Sequence, residues 1–157
     1  MIMVACLLFA ASLADGDAML IVRAEGTPLR LYDGQAIPRV ERDAEGNVVR
    51  LDLSGMTLSP EEFAALGRLT SLKRLTLFKT NVKDADLRLL RGLTHLEGLN
   101  LTSTEISDAA VAEIMNVKSL RSLCLGNVAV TPEAITKLKD HFLAQGRTLS
   151  LGYARRQ

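Results

Sequence analysis

The stretch LEGLNLTSTEI, from Leu96 to Ile106, decides the fold, because its pattern recurs along the chain at a step of 24 residues. Windows aligned on it read VVRLDLSGMTL from Val48, LKRLTLFKTNV from Leu72 and LRSLCLGNVAV from Leu120. The leucines of the central L-x-L therefore form two columns, with the members Leu51, Leu75, Leu99 and Leu123 in the first and Leu53, Leu77, Leu101 and Leu125 in the second.

Each unit predicts a short strand, a turn and a helix. The leucines of L-x-L point to one face of the strand and the residue between them points to the other. Helix-start signals follow, and we expect caps at Ser59-Pro60 (a complete capping box with Glu62), at Asp84, at Ser107-Asp108 and at Thr131-Pro132. Apolar residues three apart then form one stripe on each helix, namely Phe63, Leu66 and Leu69; Leu87, Leu90 and Leu93; Val111, Ile114 and Val117; Ile135 and Leu138.

A repeat of this length built on L-x-x-L-x-L predicts an α/β leucine-rich repeat solenoid. Neither half of such a unit can bury its apolar face alone, so each repeat depends on its neighbours. Tetratricopeptide-type helical repeats are the rival architecture, but they have a period of about 34 residues and lack the L-x-L strand.

The chain divides into four predicted segments: a signal peptide at 1–14, an amino-terminal cap at 15–47, four repeats at 48–145, and a closing strand with a tail at 146–157. In the cap, MLIVRA and PLRLYD have a strand-like composition and Asp33-Gly34 is typical of a turn. Residues 44–47 predict a hairpin that leads into the first repeat. At the other end, Leu149 and Leu151 continue the two leucine columns at a longer step of 26 residues.

The first fourteen residues, MIMVACLLFAASLA, form an apolar run that ends in small residues. This pattern predicts a signal peptide, and hence an exported or cell-envelope protein, although no Lys or Arg precedes the run. The alternatives are a buried amino-terminal segment, or initiation at Met19, in a cytoplasmic protein.

Composition narrows the functional classes. Nineteen basic and eighteen acidic residues nearly balance, which argues against nucleic acid as a partner. Cys6 and Cys124 cannot form a disulfide framework, and no apolar run reaches the roughly 18 residues of a membrane span. Since no cysteine or histidine cluster has metal-ligand spacing, we expect no cofactor and no metal.

The block GLTHLEGLNLTSTEISDAAV, from Gly92 to Val111, resembles bacterial leucine-rich repeat proteins of the ribonuclease-inhibitor-like type. Their repeats typically read G-L-x-x-L-x-x-L-x-L-x-x-T-x-[IV]-[ST]-D-x-x-[LV], and the resemblance covers about residues 48–151. Thr80 and Thr104 match the threonine of the pattern, while Met56 and Val128 depart from it. The resemblance implies parallel strands on the concave face of a curved stack, helices on the convex face, and a protein or peptide as the partner.

The residues that alternate with the buried leucines predict the binding surface. Basic residues gather at its amino-terminal end, and Phe78 is an aromatic residue at an outward strand position, which is typical of binding hot spots. The alternative is that Phe78 packs against a neighbouring side chain. We predict a contact site on the first three strands, formed by Arg50, Asp52, Arg74, Thr76, Phe78, Asn100 and Thr102.

Three functional classes remain open from the sequence. The first is an exported, non-catalytic interaction module, and the second is a cytoplasmic regulatory or adaptor subunit built from the same repeats. The third is a thiol-dependent enzyme that uses Cys124. The enzyme is the remotest of the three, because neither His95 nor His141 shares the strand column of Cys124.

Overall fold

The computed structural model describes residues 20, 21, 23–26, 29, 30 and 36–155. The predicted signal peptide, residues 1–14, and the predicted turn at Asp33-Gly34 lie outside them. The elements follow in the order β1 (Leu29–Arg30), β2 (Ala36–Ile37), β3 (Val40–Arg42), β4 (Val48–Asp52), α1 (Pro60–Leu66), β5 (Arg74–Thr76), a 3-10 helix (Asp84–Gly92), β6 (Gly98–Asn100), α2 (Ala109–Met115), β7 (Ser122–Val128), α3 (Pro132–Ala144) and β8 (Ser150–Arg155). None of the described helices is long and apolar enough to cross a bilayer.

The leucine columns set the register of a six-stranded sheet with the order β3-β4-β5-β6-β7-β8. Strands β4 to β8 pair in parallel, and Leu51, Leu75, Leu99 and Leu123 are partners across neighbouring strands. Every leucine of both columns is at most 3% exposed. The 24-residue step is therefore the distance along the chain from one strand to its neighbour in the sheet.

All eleven residues of the predicted apolar stripes are buried. Eight lie on the helices, and Leu69, Leu93 and Val117 lie just beyond the helix ends. Two helix starts form as predicted. Ser59 accepts a hydrogen bond from the Glu62 amide while the Glu62 carboxylate accepts one from the Ser59 amide, which completes the capping box of α1. Thr131 caps α3 through the Ala134 amide.

The predicted caps at Asp84 and Asp108 are wrong, because both carboxylates bind the next repeat instead of their own helix. Asp84 accepts hydrogen bonds from the amide and hydroxyl of Ser107 at 2.8 and 2.6 Å. Asp108 accepts the same pair from Thr131 at 2.7 and 2.8 Å. Ser107 supplies only a weak contact of 3.4 Å to the Ala109 amide. In the first pair of repeats the Asn81 amide group bonds both the N–H and the C=O of Leu58. These side chains therefore join consecutive repeats just before each helix.

We expect Asp108→Ala to lower the free energy of unfolding by about 1–2 kcal/mol, because the Thr131 amide and hydroxyl lose a charged acceptor. Chemical denaturation followed by circular dichroism measures this loss. Glu105→Ala is the matched control, since its 4.0 Å contact with Lys83 joins side chains that are each 68% exposed. An equal effect of both substitutions would contradict a joining role for Asp108.

Of two predictions for the amino-terminal residues, the hairpin is confirmed and the strand in MLIVRA is wrong. The hairpin forms between β3 and β4, and the Asp43 carboxylate accepts hydrogen bonds from the Glu45 and Asn47 amides within its loop. The side-chain hydrogen bond from Asn47 lowers the pKa of Asp43 below its usual value. In contrast, the described residues of MLIVRA are helical rather than extended. Their buried members are Leu20, Ile21 and Ala24, a spacing that fits one face of a helix.

The closing strand is displaced by two residues from the predicted register. Leu151, not Leu149, pairs with Leu123, and Tyr153 pairs with Leu125. The Tyr153 hydroxyl donates to the Val130 carbonyl at 2.8 Å, and the Arg147 guanidinium donates to the Leu120 carbonyl at 2.7 Å. Because side chains alternate with a period of two, this displacement keeps the same residues facing the core.

Candidate partner-binding surface

The outward positions of the central strands form one continuous groove. Its volume is about 500 Å³, and strands β4, β5, β6 and β7 all contribute to it. We call it the strand-face groove, and its lining consists of Arg50, Arg74, Leu75, Thr76, Glu97, Gly98, Leu99, Asn100, Arg121, Ser122 and Cys124. The parallel register brings Arg74, Gly98 and Ser122 side by side, and two residues further along each strand it brings Thr76, Asn100 and Cys124 together.

Three arginines give the groove its charge, but they differ in their surroundings. The Arg50 guanidinium binds the Glu41 carboxylate at 2.7 Å. Arg74 and Arg121 are exposed, and neither side chain has a hydrogen bond or ion pair to another described residue. The Glu97 side chain is likewise exposed and unpaired within the described part of the chain. The groove therefore presents two guanidinium groups and one carboxylate to solvent.

Glycine at position 98 keeps the base of the groove open. A Cβ atom there would meet Cγ of Arg74 at 3.5 Å, so the stem of Arg74 lies beside the space that a larger residue would fill. The neighbouring positions carry small polar groups, the hydroxyls of Thr76 and Ser122. The result is a polar depression over a leucine core.

Two of the predicted contact residues have structural roles at the ends of their strands. The Asp52 carboxylate accepts a hydrogen bond from the Ser54 amide at 2.8 Å and lies 3.7 Å from the Arg39 guanidinium. The Asn100 side-chain oxygen accepts one from the Thr102 amide at 3.0 Å. This arrangement leaves the NH₂ group of Asn100 as a hydrogen-bond donor at the groove.

Phe78 and Thr102 belong to the turns that follow the strands, beyond the lining of the groove. Phe78 is half-buried, and the Lys79 ammonium group lies 5.2 Å from the centre of its ring. Thr102 contacts the next repeat through a 3.4 Å hydrogen bond from the Gly126 amide. Each of these turns contains a residue with positive φ at the same step of 24, namely Gly55, Lys79, Ser103 and Asn127.

The structure thus brings together Arg50, Arg74, Thr76 and Asn100 of the predicted site, whereas Asp52, Phe78 and Thr102 lie outside the groove lining. It adds Glu97, Gly98, Arg121, Ser122 and Cys124, which the sequence analysis did not place in the site. Alternation along the strands already predicted that Gly98, Ser122 and Cys124 face outward. Glu97 and Arg121 directly precede their strands, so alternation did not predict their exposure. The sequence alone could not show which charged side chains form ion pairs, or that Gly98 leaves open space in the groove.

Cys124 is a free, half-buried thiol in the groove. The described histidines bind elsewhere: Nδ1 of His95 lies 3.1 Å from the Thr70 carbonyl oxygen, and Nε2 of His141 lies 2.9 Å from the Gln145 side-chain nitrogen. Neither histidine lines the groove. In the part of the chain that the structure describes, no group of three or more His, Cys, Asp or Glu side chains could hold a metal ion.

Comparisons with known proteins support the fold class. No protein-family model matches the chain, and no curated protein matches it in sequence. Among solved structures, actin-binding site 2 of leiomodin-1 is similar with a TM-score of 0.54 and 18% sequence identity, over 66% of this chain and 69% of that one. The PEPR1–AtPEP1 complex is similar with a TM-score of 0.48 and 17% identity, over 90% of this chain but only 24% of that one. The leiomodin-1 site is leucine-rich-repeat-like, so its likeness supports a leucine-rich-repeat-like fold for this chain.

Proposed function

We propose that this chain is a leucine-rich repeat solenoid of the bacterial, ribonuclease-inhibitor-like type, and that it binds a protein or peptide on its concave strand face without catalysing a reaction. The observation that carries the proposal is the strand-face groove, to which four strands in register contribute polar side chains. A neighbour of similar fold, the actin-binding site 2 of leiomodin-1, is by its name a protein-binding site, which agrees with this class of function.

The chemistry of the groove favours recognition over catalysis. Guanidinium, hydroxyl and amide groups can form hydrogen bonds with a partner. The buried leucine columns beneath these groups fix the distance between the strands that carry them. A nucleophilic thiol needs an acid–base partner within hydrogen-bond reach. The lining supplies no histidine for Cys124.

We further propose export, on the basis of the apolar run at residues 1–14. Mass spectrometry of the mature amino terminus distinguishes this from the cytoplasmic adaptor. Cleavage after Ala14 supports export, and an intact Met1 would support the cytoplasmic alternative.

Blocking the groove without changing its charge tests the binding proposal. We expect Thr76→Tyr/Ser122→Tyr to reduce capture of the native partner by about a hundredfold, because both rings would occupy the groove. Tyrosine suits a strand, so the fold should persist in this variant. Affinity capture from native extract, quantified by mass spectrometry, gives the measurement.

The matched control is Ala112→Tyr/Thr136→Tyr, which places the same rings at exposed positions on α2 and α3 and likewise leaves the charge unchanged. Capture should be unchanged in this control. Loss of capture in the control alone would move the binding surface to the helices and would overturn the proposal.

A further inference from the structure

The strand-face groove differs from the rest of the described surface in its arginines, because two of them have no partner within the described chain. Most arginines whose side chains the structure describes have a partner, as in Arg23 with Glu62, Arg42 with Glu25 and Arg91 with Glu113. Arg74 and Arg121 are the two described arginine side chains without one, and both line the strand-face groove. The other arginine side chains that the structure describes have partners, so the two free guanidinium groups lie at the same site.

From this we infer that the strand-face groove binds an acidic peptide segment, whose Asp or Glu side chains pair with Arg74 and Arg121. This inference rests on the proposed function and names the class of partner. Guanidinium groups present a planar fork of donors that matches a carboxylate with two parallel hydrogen bonds. The Asn100 NH₂ group and the hydroxyls of Thr76 and Ser122 are available beside them for the peptide backbone.

The spacing of the two arginines fits an extended chain. Arg74 is on β5 and Arg121 directly precedes β7, so one strand lies between them. Neighbouring strands are about 4.8 Å apart, which separates the two backbones by roughly 10 Å. In an extended peptide, side chains two residues apart on one side are separated by about 6.6 Å. Because arginine side chains are long, carboxylates at positions i and i+2 or i+4 can reach both guanidinium groups, and Gly98 leaves room for the peptide between them.

Glu97 distinguishes such a peptide from a nucleic acid. Its exposed carboxylate lies in the same groove, and Glu97 directly precedes β6, the strand between β5 and β7. A polynucleotide places a negative phosphate at every residue, so some of its charge would face Glu97. A peptide with separated carboxylates can place a neutral residue there. The near balance of charge over the whole chain also disfavours a polyanion.

Binding of short fluorescein-labelled peptides, followed by fluorescence anisotropy, tests the inference. One peptide library carries Asp or Glu at alternate positions among randomised neutral residues, and its twin carries Asn or Gln at the same positions. We expect the acidic library to bind about tenfold more tightly than the amide twin, since each exposed ion pair contributes a few-fold. The preference should shrink between about 0.05 and 0.5 M NaCl, because salt screens exposed charges.

Charge reversal then assigns the preference to the two arginines. Arg74→Glu/Arg121→Glu should abolish it, whereas Lys118→Glu/Lys137→Glu should retain it with the same change in net charge at exposed positions outside the groove. Equal binding of the acidic and amide libraries, or equal loss in both double variants, would overturn the inference. Tighter binding of a single-stranded oligonucleotide than of the acidic library, dependent on the same arginines, would also overturn it.

The outcomes separate this inference from the proposed function. If Thr76→Tyr/Ser122→Tyr abolishes capture of the native partner but no acidic preference exists, the groove binds a different class of peptide and only the inference is wrong. If neither the tyrosine block nor the charge reversal affects capture, both are wrong.

Discussion

Leu99→Asp is expected to unfold several repeats in a single transition. Leu99 is 3% exposed and pairs with Leu75 and Leu123 at the centre of the leucine column. Loss of a buried leucine alone costs about 2–5 kcal/mol, and an unpaired carboxyl group in the same space adds to this. The total approaches the whole free energy of unfolding of an ordinary domain, about 5–15 kcal/mol. The far-UV circular dichroism signal should therefore be largely lost.

Asn100→Asp is the matched control, because it adds the same charge one residue later on the outward side of β6. Asn100 is partly exposed, and an aspartate can still accept the hydrogen bond from the Thr102 amide. Its effect should stay within about 0.5 kcal/mol. Hydrogen exchange tests the cooperativity: if Leu99→Asp removed protection from β6 alone, consecutive repeats would not depend on one another.

Gly92→Ala is expected to destabilise the protein by about 1–3 kcal/mol through overpacking. Gly92 ends the 3-10 helix of the second repeat, and a Cβ atom there would lie 2.6 Å from the carbonyl oxygen of Gly67 at the end of α1. The clashing atom belongs to the backbone, so the helical layers of two repeats would have to separate. Urea unfolding measures the loss.

Gly98→Ala provides the comparison for this second substitution. Its Cβ atom would meet Cγ of Arg74 at 3.5 Å, an ordinary contact with a flexible side chain. We expect no loss of stability, or a gain of up to about 1 kcal/mol, because alanine lowers the entropy of the unfolded chain. A larger loss at Gly98 than at Gly92 would contradict the close approach of the helix ends.

The sequence predicted the parts of the fold that depend on local chemistry. The leucine columns, the caps at Ser59 and Thr131 and the hairpin before the first repeat all follow from spacing and from residue type. It did not predict the roles of Asp84 and Asp108, because a carboxylate before a helix is an equally good acceptor for the next repeat. Which of the two it binds depends on how the repeats stack.

The register of the closing strand and the lining of the strand-face groove also depend on tertiary contacts, so the local sequence did not determine them. A step of 26 and one of 28 residues place the same side chains inward, so alternation alone could not choose between Leu149 and Leu151 as the partner of Leu123. For the candidate site, the sequence identified outward residues such as Arg74 and Thr76. It could not show that Glu41 pairs with Arg50 while Arg74 and Arg121 remain free.

The central claim, that partners bind in the strand-face groove, is tested most directly by the native thiol of Cys124, which lines it. In a Cys6→Ser background, the rate of alkylation of Cys124 is measured by mass spectrometry with and without the captured partner. A second protein, with Cys6→Ser, Cys124→Ser and Ala112→Cys, reports on the exposed surface of α2. We expect the partner to slow alkylation of Cys124 about tenfold or more and to leave the thiol on α2 unaffected. Protection of the thiol on α2, with Cys124 alkylated at its original rate, would contradict the account.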